Sequence, residues 1–574
     1  MAETLLSPGV LARENDQSQI TAQPVQAGAA ILGPTVKGPV GIPTLVTSYS
    51  DYMNKFGTTF TSASQVYSFL TSVSAYNYFT NGGTSLLVTR IVSGSFTAAS
   101  SSAISGSNGA TQPTIVLKTL AEGTIMNSTS TETNGALASG SNDNLRWEIA
   151  TSDTASGTFT LLVRRGNDTT NDKVVLESWT NLSLDPKQPN YISKVIGDSY
   201  QTINTSDAAA GPYVQSVGNY ANKSNYIYVS AVNNPTPDYF DNNGNFKSQY
   251  TASLPLIASG SFGGAVGEVW FNKAGAAFNE KITSDANIQG IESGQYTQSI
   301  SVLSNQDDYK FNVITAPGLM IGTSTTTITK LINMVQERGD ALAVVDCGKY
   351  GDTLATMTAN AATYNSSYAA TYAPWLQTTD ADAGNLIWVP ASTMIPGVYA
   401  YNDSVGEAWF APAGLNRGGL STVVKPERKL AQANRDTLYL ANVNPIASFP
   451  GAGTVVFGQK TLQKKASALD RVNVRRLLIE LKSYISQVSN NLVFEQNTIA
   501  TRNAFLSQVN PYLESVQQRQ GLYAFKVIMN DTNNTADVID RNQLVGQIYL
   551  QPTKTAEFIL LDFNVLPTGA TFPA

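Results

Sequence analysis

The sequence predicts a multidomain protein of α/β and β type, with a split α/β core domain, inserted β-rich domains and extended terminal arms. Three observations carry this reading. A strand–helix–strand pattern after residue 310 has the spacing of a βαβ unit. Composition changes abruptly at Ser93 to Ser/Thr/Gly/Asn-rich chain with short alternating runs, the mark of β structure inserted into another frame. Both ends read as extended chain without a core of their own. At 574 residues the chain is also too long for one hydrophobic core.

The elements follow in order. Residues 1–26 form an N-terminal arm and linker: Ser7-Pro8-Gly9-Val10 precedes a stretch from Asn15 to Gln26 with too few apolar residues to pack. Residues 27–92 are the first part of the core. Within them Leu45-Val46-Thr47 is a strand after the turn Gly41-Ile42-Pro43. Val66, Phe69, Leu70 and Val73 recur at helical spacing, and Asn81-Gly82-Gly83 ends that helix. The run from Leu86 to Val92 is a buried strand. Residues 93–196 form an inserted β domain, with the run from Phe159 to Arg165 as one strand. Residues 197–309 form a second, less regular insertion; its Gly-rich string Ser259 to Gly264 reads as a flexible loop. Residues 310–553 return to the core. Phe311 to Thr315 is a strand, Ile328, Leu331, Ile332 and Val335 line one helix face, Gly339 stops that helix, and Ala341 to Val345 is the next strand. A long helix is expected from Ala466 to Val488. Residues 554–574 are a C-terminal arm strand in which Ile559, Leu561, Phe563 and Val565 make one apolar face. The sequence has no fixed-period repeat, which weighs against solenoids and propellers.

Composition narrows the chemistry. Charged residues are 14% of the chain against a usual share of about 25%. A surface of hydroxyls and amides costs less to desolvate than one of ions, so it suits burial against copies of itself; exposed polar turns read the same way. The net charge of −6 argues against nucleic acid as a partner. A single cysteine, Cys347, leaves no internal disulfide. Neither a secretory leader nor a membrane-spanning run is expected, so folding in a cytoplasm is the expectation.

The chain contains no histidine. That removes Ser/His/Asp and Cys/His nucleophile systems and His-ligated metals. No phosphate loop is present, and no cofactor or metal is expected. Carboxylate chemistry survives as a candidate: Asp307-Asp308, and Asp380 with Asp382 near Trp375 and Trp388, could serve a glycosidase, the alternative being solvated loops beside core tryptophans. Cys347 follows a buried strand but has no base partner. Lys460, Lys464, Lys465, Arg471, Arg475 and Arg476 cluster on and before the long helix. They read either as a solvated face, with an Arg476–Glu480 pair, or as an electrostatic footprint for a partner.

Several strings resemble those of contractile phage tail sheath proteins. They include Ser7-Pro8-Gly9-Val10, Ile42-Pro43-Thr44-Leu45, Tyr78 to Gly83, and Leu182 to Pro186 followed by Pro189-Asn190-Tyr191-Ile192. Tyr372 to Trp375, Trp388 to Ser392, Pro396 to Ala400, Asn442 to Ile446, Gly458 to Thr461, Asn473 to Arg476 and Asn533-Asn534 continue the series. The resemblance is dense in the second half and weak from Ser93 to Leu176 and from Gly197 to Tyr309. Leu11 and Phe410 depart from it.

The resemblance implies a non-enzymatic subunit that stacks as hexameric rings around a tail tube. The helical assembly contracts to drive the tube through a host envelope. It implies outward-reaching arms at Pro8, Gly9 and Val10 and at Ile559, Leu561, Phe563 and Val565. The implied partners are further copies of the chain, the tail tube protein, and baseplate and tail terminator proteins. The implied location is the virion tail, assembled in the host cytoplasm. The basic run would then contact the tube or a neighbouring subunit. Alternatives are the sheath of a bacteriocin-like or other contractile injection particle, or, in a different class, a virion-associated carbohydrate depolymerase.

Overall fold

The computed structural model describes residues 25–62, 64–109, 112–128, 140–207, 211–268 and 278–558. The expected arm residues Pro8, Gly9, Val10, Ile559, Leu561, Phe563 and Val565 lie outside the described residues.

An eight-stranded sheet organises the largest core. Its order is Thr44–Val46, Leu86–Arg90, Val25–Gly33, Tyr309–Met320, Leu342–Asp346, Ala369–Ala373, Val443–Phe449 and Gly453–Val456. The six inner strands run parallel, and each edge strand is antiparallel to its neighbour. Strands Leu86–Arg90, Leu342–Asp346 and Ala369–Ala373 are buried at every position, as a parallel sheet covered on both faces requires. Ala29 lies opposite Val313 and Ala30 opposite Ile314, so the front of the chain and its second half share one sheet. Helix Thr325–Arg338 buries Ile328, Leu331, Ile332 and Val335, and Gly339 ends it at φ 72°, a conformation that favours glycine.

A second sheet has seven antiparallel strands in the order Val175–Ser183, Thr158–Arg165, Leu145–Asp153, Ala258–Gly263, Ala98–Ser101, Ile115–Glu122 and Ile227–Val232. It has its own apolar cluster, centred on Trp147, Ile149, Phe159, Leu161 and Phe262. Two expectations are corrected here. Residues 93–196 and 197–309 are not separate insertions: strands Ile227–Val232 and Ala258–Gly263 complete the sheet begun by residues 98–183. The Gly-rich string from Ser259 is no loop but a central strand. Gly260 is needed there because a Cβ would lie 2.6 Å from the Trp147 ring, so close packing rather than flexibility selects glycine.

Val66 is also corrected. It sits in strand Gln65–Ser68 of a hairpin with Thr59–Ser62, and the helix begins only at Leu70. The long helix runs Val472–Asn490, after a single turn at Ala468–Asp470. It serves two cores. Val472 and Ile479 belong to the main cluster, while Leu477, Leu481 and Val488 join a third cluster with Phe505, Val509 and Leu513 of helix Ile499–Gln518.

Candidate assembly interface

The third cluster carries a two-stranded sheet, Leu522–Ile528 paired with Gln547–Pro552. An isolated hairpin is marginal in water. This one is held because Leu522 is buried and Phe525, Val527, Ile548 and Leu550 pack on the helical cluster. Tyr523 and Tyr549 are 64% and 55% exposed on the hairpin. Among the described residues neither outer strand edge has a partner, so two rows of backbone donors and acceptors are open to an added strand.

From Pro552 the chain returns to the main core and is fastened there by one carboxylate. Glu557 accepts from Arg471 in bidentate fashion, Nε to Oε1 at 2.7 Å and Nη2 to Oε2 at 2.9 Å. Tyr439, near the end of helix Gln432–Leu440, donates its hydroxyl to Oε2, and Gln459 donates its amide to Oε1 at 3.1 Å and to Thr555 at 2.7 Å. Burial opposes the charge, yet the Arg471 and Tyr439 donors hold the Glu557 carboxyl below its ordinary range. Burial and the bond to Glu557 push the Tyr439 phenol up, keeping it a donor. The ammonium of Lys460 lies 4.2 Å from the centre of the Tyr439 ring and donates to the Tyr439 carbonyl at 2.8 Å.

The basic cluster therefore divides. Lys464 and Lys465 are exposed, whereas Lys460 and Arg471 belong to the network around Glu557. Arg475 and Arg476 are 3% and 5% exposed and serve the subunit's own interior, which corrects their expected outward role. Arg475 donates to Ser367 and stacks 3.9 Å from the centre of the Tyr368 ring. Arg476 pairs with Asp403 of helix Ile395–Val405 at 2.5 Å and covers the Tyr399 ring; its hydrogen-bonded carboxylate is Asp403 rather than Glu480.

The carboxylate candidates occupy structural positions. Asp308 accepts from Asn305 in an exposed turn. Asp380 caps its own loop by accepting from the backbone of Asp382 and Ala383, and Asp382 accepts from the Tyr49 hydroxyl. The Trp375 indole donates to the Gly348 carbonyl, and Trp388 lies under the Lys425 ammonium. Cys347 is buried and its thiol is pushed up to about 12, so the thiolate is scarce. Sequence reading missed the Glu557 network and the open hairpin. Arg471 stands 86 residues from Glu557, and no local pattern links them. The alternation Gln547-Ile548-Tyr549-Leu550 was the legible signal for the hairpin.

Taken together the molecule is a multidomain α/β protein with an open-edged sheet near its C-terminal end. Residues 289–462 match the phage tail sheath protein central domain, and residues 464–565 match the phage tail sheath C-terminal domain. Over these residues the chain is similar to phage tail sheath proteins. It is 43% identical over 185 residues to the tail sheath protein of Vibrio phage KVP40, covering 32% of this chain and 28% of that one. It is 40% identical over 185 residues to the tail sheath protein of Enterobacteria phage T4, covering 32% of this chain and 28% of that one. The match thus spans less than a third of either relative's length. The fold is similar to that of the sheath tail protein Lin1278 from Listeria innocua, with a TM-score of 0.52 and 10% identity over 92% of this chain and 96% of that one.

Proposed function

We propose that this chain is the structural subunit of a contractile tail sheath and has no catalytic activity of its own. Copies stack as hexameric rings into a helical sleeve around a tail tube, and shortening of the sleeve drives the tube through a host envelope. The observation that carries the reading is the hairpin Leu522–Ile528/Gln547–Pro552, open on both edges and lying within the matched C-terminal domain. The sequence that follows it alternates as a strand at Ile559, Leu561, Phe563 and Val565. Added to a neighbour's hairpin edge, that strand would contribute about 0.5–1.5 kcal/mol per hydrogen bond and roughly 1.5–3 kcal/mol per fully buried apolar side chain. The N-terminal segment at Pro8, Gly9 and Val10 would take the other edge. A helical sleeve needs such head-to-tail contacts.

In this reading the eight-stranded sheet is the body of a split core and the seven-stranded sheet a domain inserted into it. Contraction is the relaxation of a metastable lattice in which packed bodies rotate while the strand links hold. The tube, the baseplate and the tail terminator are the further partners, in a virion tail assembled in the host cytoplasm. Lys464 and Lys465 are the part of the basic run free to meet the tube or a neighbouring subunit. Negative-stain microscopy of the concentrated, purified protein tests the proposal. Tubular sleeves of regular width are expected; a monodisperse monomer at every concentration and salt condition would overturn it.

A further inference from the structure

We propose that Glu557, held by Arg471, Tyr439 and Gln459, is a positioning residue that fixes the point at which the C-terminal segment leaves the core, and that linkage between subunits depends on it. The inference rests on the sheath reading above, in which that segment is the link.

The geometry carries it in three steps. First, the donors converge from places far apart in the chain: the end of helix Gln432–Leu440, the loop after strand Gly453–Val456, and the residue before helix Val472–Asn490. All three belong to the main core, not to the hairpin cluster the chain has just left. Second, the segment being held has little need to be held for its own sake. Residues 553–558 form neither strand nor helix, Lys554, Thr555 and Ala556 are exposed, and Phe558 is 80% exposed immediately beyond the carboxylate. A partly buried ion pair is weak evidence for stability, and its best-attested use is to select one arrangement among several. Here the arrangement selected is where the chain departs. Third, in the sheath reading the chain beyond Phe558 is what meets a second copy, so fixing its root at Glu557 fixes what it can reach.

A mechanical consequence follows. Tension on the link passes through Glu557 into the eight-stranded core rather than peeling the hairpin from its helices. The core body would then be what turns when the lattice shortens.

The test compares the full chain with Glu557→Ala and with the exchanged pair Glu557→Arg/Arg471→Glu, by three readouts. Tryptic cleavage after Lys554 in the unassembled protein reports whether the root of the segment is held. The melting temperature of the same sample reports the fold, and the lowest concentration giving sleeves reports linkage. Glu557→Ala is expected to melt with the wild type, to be cut after Lys554 at least tenfold faster, and to need at least tenfold more protein to form sleeves; the exchanged pair should recover part of both losses. Unchanged cleavage after Lys554 overturns the positioning role. Faster cleavage with sleeves at the wild-type concentration overturns the dependence of linkage on it. A large fall in melting temperature that the exchanged pair does not recover shows a brace of the core instead. Absence of sleeves in the wild type overturns the sheath reading itself, and the linkage half of this inference with it, independently of the cleavage result.

Discussion

Asp346 is a buried carboxyl with a structural role. It ends a buried parallel strand and is itself 3% exposed. Among the described residues no cation pairs with it. Its carboxyl accepts from the Ser392 backbone at 2.9 Å and meets the Ser392 hydroxyl, which ties the strand end to the turn Ala391–Thr393. Burial raises its pKa to about 7, against the lowering effect of the Ser392 bonds. A carboxyl whose folded pKa lies above its unfolded value of about 3.9 favours the protonated fold. Its contribution is then fully present below about pH 4, falls as pH rises toward 7, and stays at the lower level above that. At 1.36 kcal/mol per unit the full change is roughly 4 kcal/mol. An asparagine at this position would bring no charge into the core and would keep one acceptor oxygen for the backbone N–H groups of Ser392 and Gly318 that the carboxyl now serves. Asp346→Asn is therefore expected to be more stable than the wild type at pH 8 and about equal near pH 4. Urea unfolding at both pH values checks this; equal midpoints at pH 8 would mean that the charge is not being carried into the core.

Among the elements, the helix Val472–Asn490 separates what was legible from what was not. Its apolar spacing at Leu477, Leu481 and Val488 is visible in sequence because a face that must be buried repeats every three to four residues. The same periodicity exposed Thr325–Arg338 and its glycine stop. The arginines were not legible in this way. A guanidinium is ordinarily solvated, and nothing local says that Ser367, Tyr368, Tyr399 and Asp403 will converge on Arg475 and Arg476. The Gly-rich strand Ala258–Gly263 failed for a related reason: its neighbours in the sheet, Leu145–Asp153 and Ala98–Ser101, lie more than a hundred residues away in the chain. The division of the basic run makes a prediction. Arg476→Ala leaves Asp403 without its partner and removes a packed side chain, and should cost about 2 kcal/mol. Lys464→Ala/Lys465→Ala should change stability by less than about 0.5 kcal/mol. Denaturant midpoints of the two variants check both; an Arg476→Ala protein as stable as the lysine variant would return the arginines to the surface role.

At the scale of the whole molecule, the seven-stranded sheet leaves and rejoins the rest at one place. The Thr97 N–H donates to the Val266 carbonyl at 3.0 Å, and the Val266 N–H donates to the Thr97 hydroxyl at 2.9 Å. Contact with the core continues beyond that point: Lys37 pairs with Asp143 at 3.3 Å, the Val40 N–H donates to the Glu122 carboxylate at 3.1 Å, and Ile125 packs against the cluster of Val36 and Phe60. The fully buried Arg90 donates to the carbonyls of Gly38 and Glu122, Ile203 and Val214 of the hairpin Tyr200–Asn204/Tyr213–Val217 touch the main cluster, and a cavity of about 560 Å³ lined by Ile42, Phe96 and Tyr200 separates the two bodies elsewhere. Each body has its own apolar cluster, so the core should not need the insertion in order to fold. Joining Thr97 directly to Val266 is expected to give a soluble protein with one cooperative thermal transition, lowered by a few degrees because Arg90 loses the Glu122 carbonyl and Ile203 its neighbours. Removing residues 93–196 alone is a different experiment. It leaves strands Ile227–Val232 and Ala258–Gly263 without the strands they pair with, exposing edges and half of an apolar cluster, and that protein should aggregate. Calorimetry and size-exclusion chromatography of the two deletions separate the cases: a cooperative, monomeric 93–196 deletion would mean that the two segments are independent units after all, and loss of cooperativity on joining Thr97 to Val266 would mean that the core depends on the insertion.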